Sequence, residues 1–168
     1  MAERDREFVE FVEEAGAALR LTAFLVSGDR HRAEDVVQDV LYKLYLAWPR
    51  LQRVGNPVAY ARRMVVNAAY DGRRRPWRRE VMIADVPDRA AADDFTAGHA
   101  DRDEVLDALR SLGPRQRACV VLRYYEDLSV EQTAELLGCS EGTVKSQAAR
   151  GLDTLRRAIA QRRTSQAL

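Results

Sequence analysis

The sequence predicts an all-α chain made of two small helical domains joined by a flexible acidic linker. Three observations carry that prediction. Apolar residues recur at helical spacing while strand signals are nearly absent. Helix start and stop signals punctuate the chain at regular intervals. Between them, residues 81–100 (VMIADVPDRAAADDFTAGHA) lack a sustained period and carry Pro, Gly and several Asp, as a linker does. The expected division is 1–80, a linker at 81–100, and 101–168.

The elements follow in order. Residues 4–26 read as a helix ended near Ser27-Gly28. Residues 31–48 read as a second, with Val36, Val37, Val40, Leu44 and Trp48 as its inward stripe and Pro49 as its stop. Asn56-Pro57 starts a third, because Asn caps and Pro suits the first turn; it runs to about Asp71-Gly72, with the basic GRRRPWRRE beyond. Helices resume at about 101–111, and Gly113-Pro114 opens one over 114–126. Ser129-x-x-Gln132 is a capping box opening 129–137, and Ser140 caps a last helix from 141 to about 161.

Charge is segregated along this frame. The 168 residues hold 27 Lys+Arg and 26 Asp+Glu, a net +1 that looks neutral. Residues 1–49 carry net −4, residues 50–80 net +7, residues 81–109 net −6 and residues 110–168 net +4. Two cationic blocks therefore flank an acidic one, which points to a polyanionic partner approached by separate modules. All basic residues but Lys43 and Lys145 are arginines, and Arg offers a planar fork to phosphate and guanine. No stretch approaches the ~20 apolar residues of a membrane span, and the acidic start lacks the layout of a signal peptide. A cytoplasmic protein without membrane insertion is the expectation. Cys119 and Cys139 read as packing thiols, and with only His31 and His99 no ligand set at zinc spacing exists. No phosphate loop, nucleophile elbow or metal cluster is visible, so neither enzyme activity nor a cofactor is expected.

VEQTAELLGCSEGTVKSQAARGL carries the most specific motif. Small Ala134 sits where two helices cross, Gly138 permits a left-handed turn, and Val144 plugs the core from the second helix. At about 100° per residue Val144, Ala148, Leu152, Leu155 and Ile159 share one arc, leaving Lys145, Ser146, Ala149 and Arg150 on an adjoining outward arc. This is a helix-turn-helix whose second helix suits a major groove. On the third helix Tyr60, Arg63, Asn67 and Tyr70 share a face, and Arg73, Arg74 and Arg75 extend it. Aromatics, an amide and arginines suit unpaired nucleic acid: rings stack, the amide reads base edges, Arg holds phosphate. The second helix turns Asp35, Gln38, Asp39 and Tyr42 outward with Tyr45 nearby. An acidic and aromatic face is repelled by DNA and suits a protein partner.

These residues together resemble a bacterial sigma factor of the extracytoplasmic-function group, the two-domain sigma-70 type, and look most like its short actinobacterial members. AEDVVQDVLYKLYLAW resembles region 2.2, NPVAYARRMVVNAAYDGRRR regions 2.3–2.4, and LGPRQRACVVLRYYEDLSVEQTAELLGCSEGTVKSQAARGLDTLR region 4. The resemblance implies a subunit that binds core RNA polymerase and directs it to promoter DNA, often restrained by an anti-sigma factor. It implies polymerase contacts at Asp35, Gln38, Asp39 and Tyr45. It implies −10 contacts at Tyr60, Arg63, Asn67, Tyr70, Arg73, Arg74 and Arg75, with a base-capturing loop at about 50–56. It implies −35 contacts at Lys145, Ser146, Ala149 and Arg150. The chain departs from the family pattern near Tyr60, where Trp is common, near Arg62, where an aromatic is common, at Gln147, where a basic residue is frequent, and at Ala149, where larger residues occur. A free-standing helix-turn-helix regulator of duplex operators is the alternative reading of the C-terminal motif alone.

Overall fold

The structure, a computed structural model, describes residues 2–74 and 99–168. Among these every regular element is helical: α1 (Glu3–Ser27), α2 (Arg30–Val54), α3 (Pro57–Arg74), α4 (His99–Arg110), α5 (Pro114–Val120), a π-helical turn (Val121–Tyr125), α6 (Val130–Leu137) and α7 (Glu141–Gln166). Most of the expected linker lies outside the described residues; its last two open α4.

α1–α3 form an N-terminal three-helix unit. The predicted inward stripe of α2 is buried throughout, from Val36 to Trp48. It meets Phe11, Leu19 and Val26 of α1 and Ala61, Val65, Val66 and Ala69 of α3. Phe8 lies edge-on to both Tyr45 and Trp48 at 5.2 Å, a favoured aromatic geometry. Gly28 ends α1 in the left-handed region (φ 72°), and the Asp29 side chain caps α2 by accepting from the Arg32 N–H. Asn56 caps α3 as expected, its Oδ1 accepting from the Ala59 N–H at 3.1 Å.

The expectation that Pro49 stops the second helix is corrected: α2 runs through it to Val54. Proline removes the N–H that would serve the carbonyl four residues back, here that of Tyr45. The Arg4 guanidinium supplies the missing donor, at 2.6 Å from the Tyr45 oxygen. Buried Leu51 gives the extra turn a reason to continue. The expected loop over 50–56 shrinks accordingly to Gly55 (φ 93°) and Asn56.

α4–α7 form the C-terminal unit around Leu112, Val121, Leu122, Leu137 and Val144. Both halves of the Ser129–Gln132 capping box are made. Where a plain helix was expected over 114–126, the chain widens after Val120 into a π-turn, with the Glu126 N–H reaching the Val121 carbonyl at 3.0 Å. Gly151 lets α7 approach α5 closely: a Cβ there would stand 2.6 Å from Val120 Cγ2.

The two units are packed together. α1 meets α5 and the π-turn, and α3 meets α5 and α6. At the seam lies Arg117, 3% exposed, whose Nε and Nη atoms donate to the carbonyls of Leu109, Arg110 and Leu112 and, across the units, of Ser27.

Candidate nucleic-acid interface

The helix-turn-helix is built as its spacing required. Gly138 adopts φ 65°, ψ 41° after α6, and Ser140 Oγ accepts from the Thr143 N–H at 3.1 Å to start α7. Val144 and Ala148 are buried. Lys145, Ser146, Ala149 and Arg150 are all exposed on the outer side of α7. Lys145 and Arg150 make no hydrogen bond or ion pair with other described residues, so their charges are available to an external anion. Sequence reasoning missed Arg156. It is exposed and, eleven residues after Lys145, lies about 20° from it around the helix. The same arc arithmetic would have found it.

On α3, Tyr60 is 48% exposed and Arg63 is exposed, Asn67 is half-buried, and Tyr70 is buried at 6%. The four residues occupy one side of the helix, but that side is partly covered by the C-terminal unit. Arg63 pairs with Glu135 of α6 at 3.4 Å. The Tyr70 hydroxyl accepts from Arg115 Nε of α5 at 3.3 Å, an interaction that raises the Arg115 pKa. Arg62, which sequence reasoning did not select, pairs with Glu126 at 3.2 Å. The backbone at Arg73 and Arg74 belongs to the last turn of α3, whereas Arg75 lies outside the described residues.

On α2, Asp35, Gln38, Asp39 and Tyr42 are exposed along one stripe. Asp39 pairs with Lys43 at 3.0 Å. Leu46, 59% exposed, continues the stripe about 20° from Asp35 and was not anticipated. An exposed leucine beside acids and an exposed tyrosine is the composition of a protein-binding patch rather than of a DNA-binding one. Tyr45 sits at the edge. Its hydroxyl donates to Asp5 at 2.8 Å, which raises its pKa, and the Arg4 guanidinium lies 4.4 Å above its ring. Its side chain is thus committed to α1 as well as flanking the stripe.

Among the described residues no cluster of His, Cys, Asp and Glu could hold a metal ion, and no helix is long and apolar enough to cross a membrane. Cys119 is buried, and burial first, then the nearby Cys139, pushes its pKa up to about 11.

The Sigma-70 region 2 family profile matches residues 11–79, and that of Sigma-70 region 4 matches residues 102–155. An RNA polymerase sigma-E factor of Streptomyces avermitilis is 38% identical over 156 residues, covering 93% of this chain and 87% of that protein. The ECF RNA polymerase sigma factor SigL of Mycobacterium tuberculosis is 34% identical over 80% of this chain and 78% of its own. Among solved structures, the sigma factor RpoE of Bartonella quintana, in complex with the anti-sigma factor NepR, superposes with a TM-score of 0.71 at 26% identity, covering 92% of this chain and 98% of that one. With both regions matched in order and relatives aligned over 78–87% of their own length, this chain belongs to the extracytoplasmic-function RNA polymerase sigma factors.

Proposed function

We propose that the chain binds core RNA polymerase through the α2 stripe and reads promoter DNA with two separate helical surfaces, as a regulatory subunit rather than an enzyme, in the cytoplasm. Residues 1–80 act as region 2, residues 101–168 as region 4, and residues 81–100 tether them. α7 enters the major groove at the −35 element. Small Ala149 lets it come close, Lys145 and Arg150 reach bases or phosphates, and Ser146 adds a donor and acceptor. α3 receives unpaired bases of the −10 element, with Tyr60 as a stacking ring, Asn67 as the edge reader, and Arg63 and Arg73–Arg75 on phosphate. Favourable contacts to extruded bases offset an unpairing cost of a few kcal/mol per base. Polymerase is held by Asp35, Gln38, Asp39 and Tyr45, with Tyr42 and Leu46 in the same patch. An anti-sigma factor, as in the Bartonella complex, is a further expected partner.

The observation that carries the reading is the outward stripe of α7, where Lys145 and Arg150 stand exposed and uncompensated on a helix anchored by a well-formed turn. The test is transcription in vitro with core polymerase. Specific initiation is expected, Lys145→Ala with Arg150→Ala is expected to reduce it, and Asn67→Ala is expected to weaken open-complex formation more than polymerase binding. Equal loss of both by Asn67→Ala overturns the assignment of α3.

A further inference from the structure

We propose that α7 carries a second cationic step beyond its base-reading residues: Arg156, three turns past Lys145, grips a phosphate at the far wall of the major groove and adds affinity without sequence preference. The inference deepens the reading of α7 as the −35 helix and rests on it.

The outer arc of α7 repeats itself. Lys145-Ser146-Gln147-Ala148-Ala149-Arg150 is followed, eleven residues on, by Arg156-Arg157-Ala158-Ile159-Ala160-Gln161. A basic residue opens each block. An apolar residue turns inward at its fourth place, buried at Ala148 and half-buried at Ile159. An alanine and a long polar residue close it. Eleven residues are close to three whole turns, so each position of the second block lies about 20° around the helix from its counterpart. Lys145, Ser146, Ala149 and Arg150 are exposed, and so are Arg156, Arg157, Ala160 and Gln161. The match to Sigma-70 region 4 ends at residue 155, so the second block lies wholly beyond the matched residues.

The second block is held in place. Val144 and Ala148 anchor the start of α7 in the core, and beyond the block Arg162 pairs with Asp107 of α4 at 2.9 Å and Arg163 with Glu104 at 3.6 Å. Along the axis Arg156 therefore stands about 16.5 Å from Lys145. The major groove is about 12 Å wide between its phosphate walls. A helix with Lys145 among the base edges brings Arg156 out to a wall. Charge pairing singles out the same residue. Arg157 pairs with Asp153, the one acid between residues 145 and 160, and Arg162 and Arg163 spend their charge on α4. Arg156 makes no hydrogen bond or ion pair with a described residue. Its planar fork suits phosphate oxygens, and phosphate contacts supply position and affinity rather than sequence.

The test uses holoenzyme assembled from core RNA polymerase and the full-length chain. The probe is a duplex of about 60 base pairs that the wild-type holoenzyme enriches from a randomised pool. Binding is measured between about 50 and 200 mM salt. Arg156→Gln is expected to flatten the slope of log affinity against log salt by about 0.9, the share of one phosphate. Its deficit against wild type is then about threefold larger at the low-salt end than at the high-salt end. It is expected to enrich the same sequence as wild type, and Arg156→Lys, which keeps the charge, to keep the slope. Arg20→Gln, on the exposed side of α1, changes net charge equally and is expected to leave the slope as it is. An unchanged slope for Arg156→Gln, or the same flattening by Arg20→Gln, overturns the proposal. A changed enriched sequence overturns the phosphate assignment, because it makes Arg156 a reader of bases. Lys145→Ala with Arg150→Ala separates this from its premise. If that variant binds the probe as wild type does, the reading of α7 falls and the proposal with it; if it loses binding while Arg156→Gln does not, the proposal alone falls.

Discussion

Replacing Arg117 with Met should cost more stability than any surface change in this chain. Arg117 makes four hydrogen bonds, to Leu109 (2.9 Å), Ser27 (3.1 Å), Arg110 (3.2 Å) and Leu112 (3.0 Å), with almost no solvent contact. Burying a guanidinium costs several kcal/mol, which Met would recover. What Met cannot recover is the acceptors. Arg110 lies four residues before Pro114, so no helical N–H exists for its carbonyl, and the Leu112 carbonyl points into the same pocket at the end of α4. Each stranded carbonyl costs about 1–3 kcal/mol. Two or three of them sum to about 2–9 kcal/mol, and with the recovered desolvation offsetting part of that the net loss is about 1–5 kcal/mol. That is a large part of the ~5–15 kcal/mol typical of a folded domain. Urea unfolding followed by far-UV circular dichroism measures it. Arg117→Lys should lose nearly as much, because a compact ammonium cannot span carbonyls on three segments. A loss below about 1 kcal/mol for Met would refute the reasoning.

Gly151→Ala should destabilise by about 1–3 kcal/mol in the same assay, because the new Cβ would stand 2.6 Å from buried Val120 Cγ2 and 3.3 Å from the Gln116 carbonyl, outweighing the usual helix gain of Ala over Gly. Ser129→Ala should cost about 1 kcal/mol, read as a lower urea midpoint, because it removes the Oγ that accepts from the Gln132 N–H at 3.0 Å, while the Ser129 N–H can still donate to Gln132 Oε1. A thiol reagent at pH 8 should modify Cys139 and spare Cys119, whose pKa of about 11 keeps it protonated as well as buried. The raised value also sets a sign for stability. The unfolded thiol ionises above its ordinary value of 9.0 while the folded one stays protonated, so the contribution is intact below pH 9 and declines as pH rises toward 11.

The helices and their caps were legible because each depends on neighbours in sequence. Asn56, Ser129, Gly138 and Ser140 all do locally what their types suggest. The failures came where a distant residue intervenes. Pro49 reads as a stop until Arg4, on another helix, supplies the donor that proline lacks. Tyr70 shares a helical face with Tyr60 and Asn67, yet it is buried, because the face it occupies is covered by a unit whose position no periodicity encodes. Leu46 and Arg156 lie on the arcs of Asp35 and Lys145, but Leu46 is not polar and Arg156 falls outside the six-residue span 145–150. The π-turn leaves no signature in VLRYYED that distinguishes it from an α-helix.

Charge blocks guided the sequence reading, and the structure changes what they count. The ten basic residues at 110–168 are not one cationic surface. Arg117 is interior, Arg115 holds Tyr70, Arg123 bonds the Leu128 carbonyl, and Arg157, Arg162 and Arg163 pair with Asp153, Asp107 and Glu104. Lys145, Arg150 and Arg156 pair with no acid among the described residues, and all three lie on the outer side of α7. The +7 block is likewise reduced at Arg62 and Arg63, which spend their charge on Glu126 and Glu135. Carboxylates of the C-terminal unit thus neutralise arginines of the N-terminal one. The α7 surface therefore keeps its positive charge in this arrangement, whereas part of the charge of α3 is matched by carboxylates of the C-terminal unit.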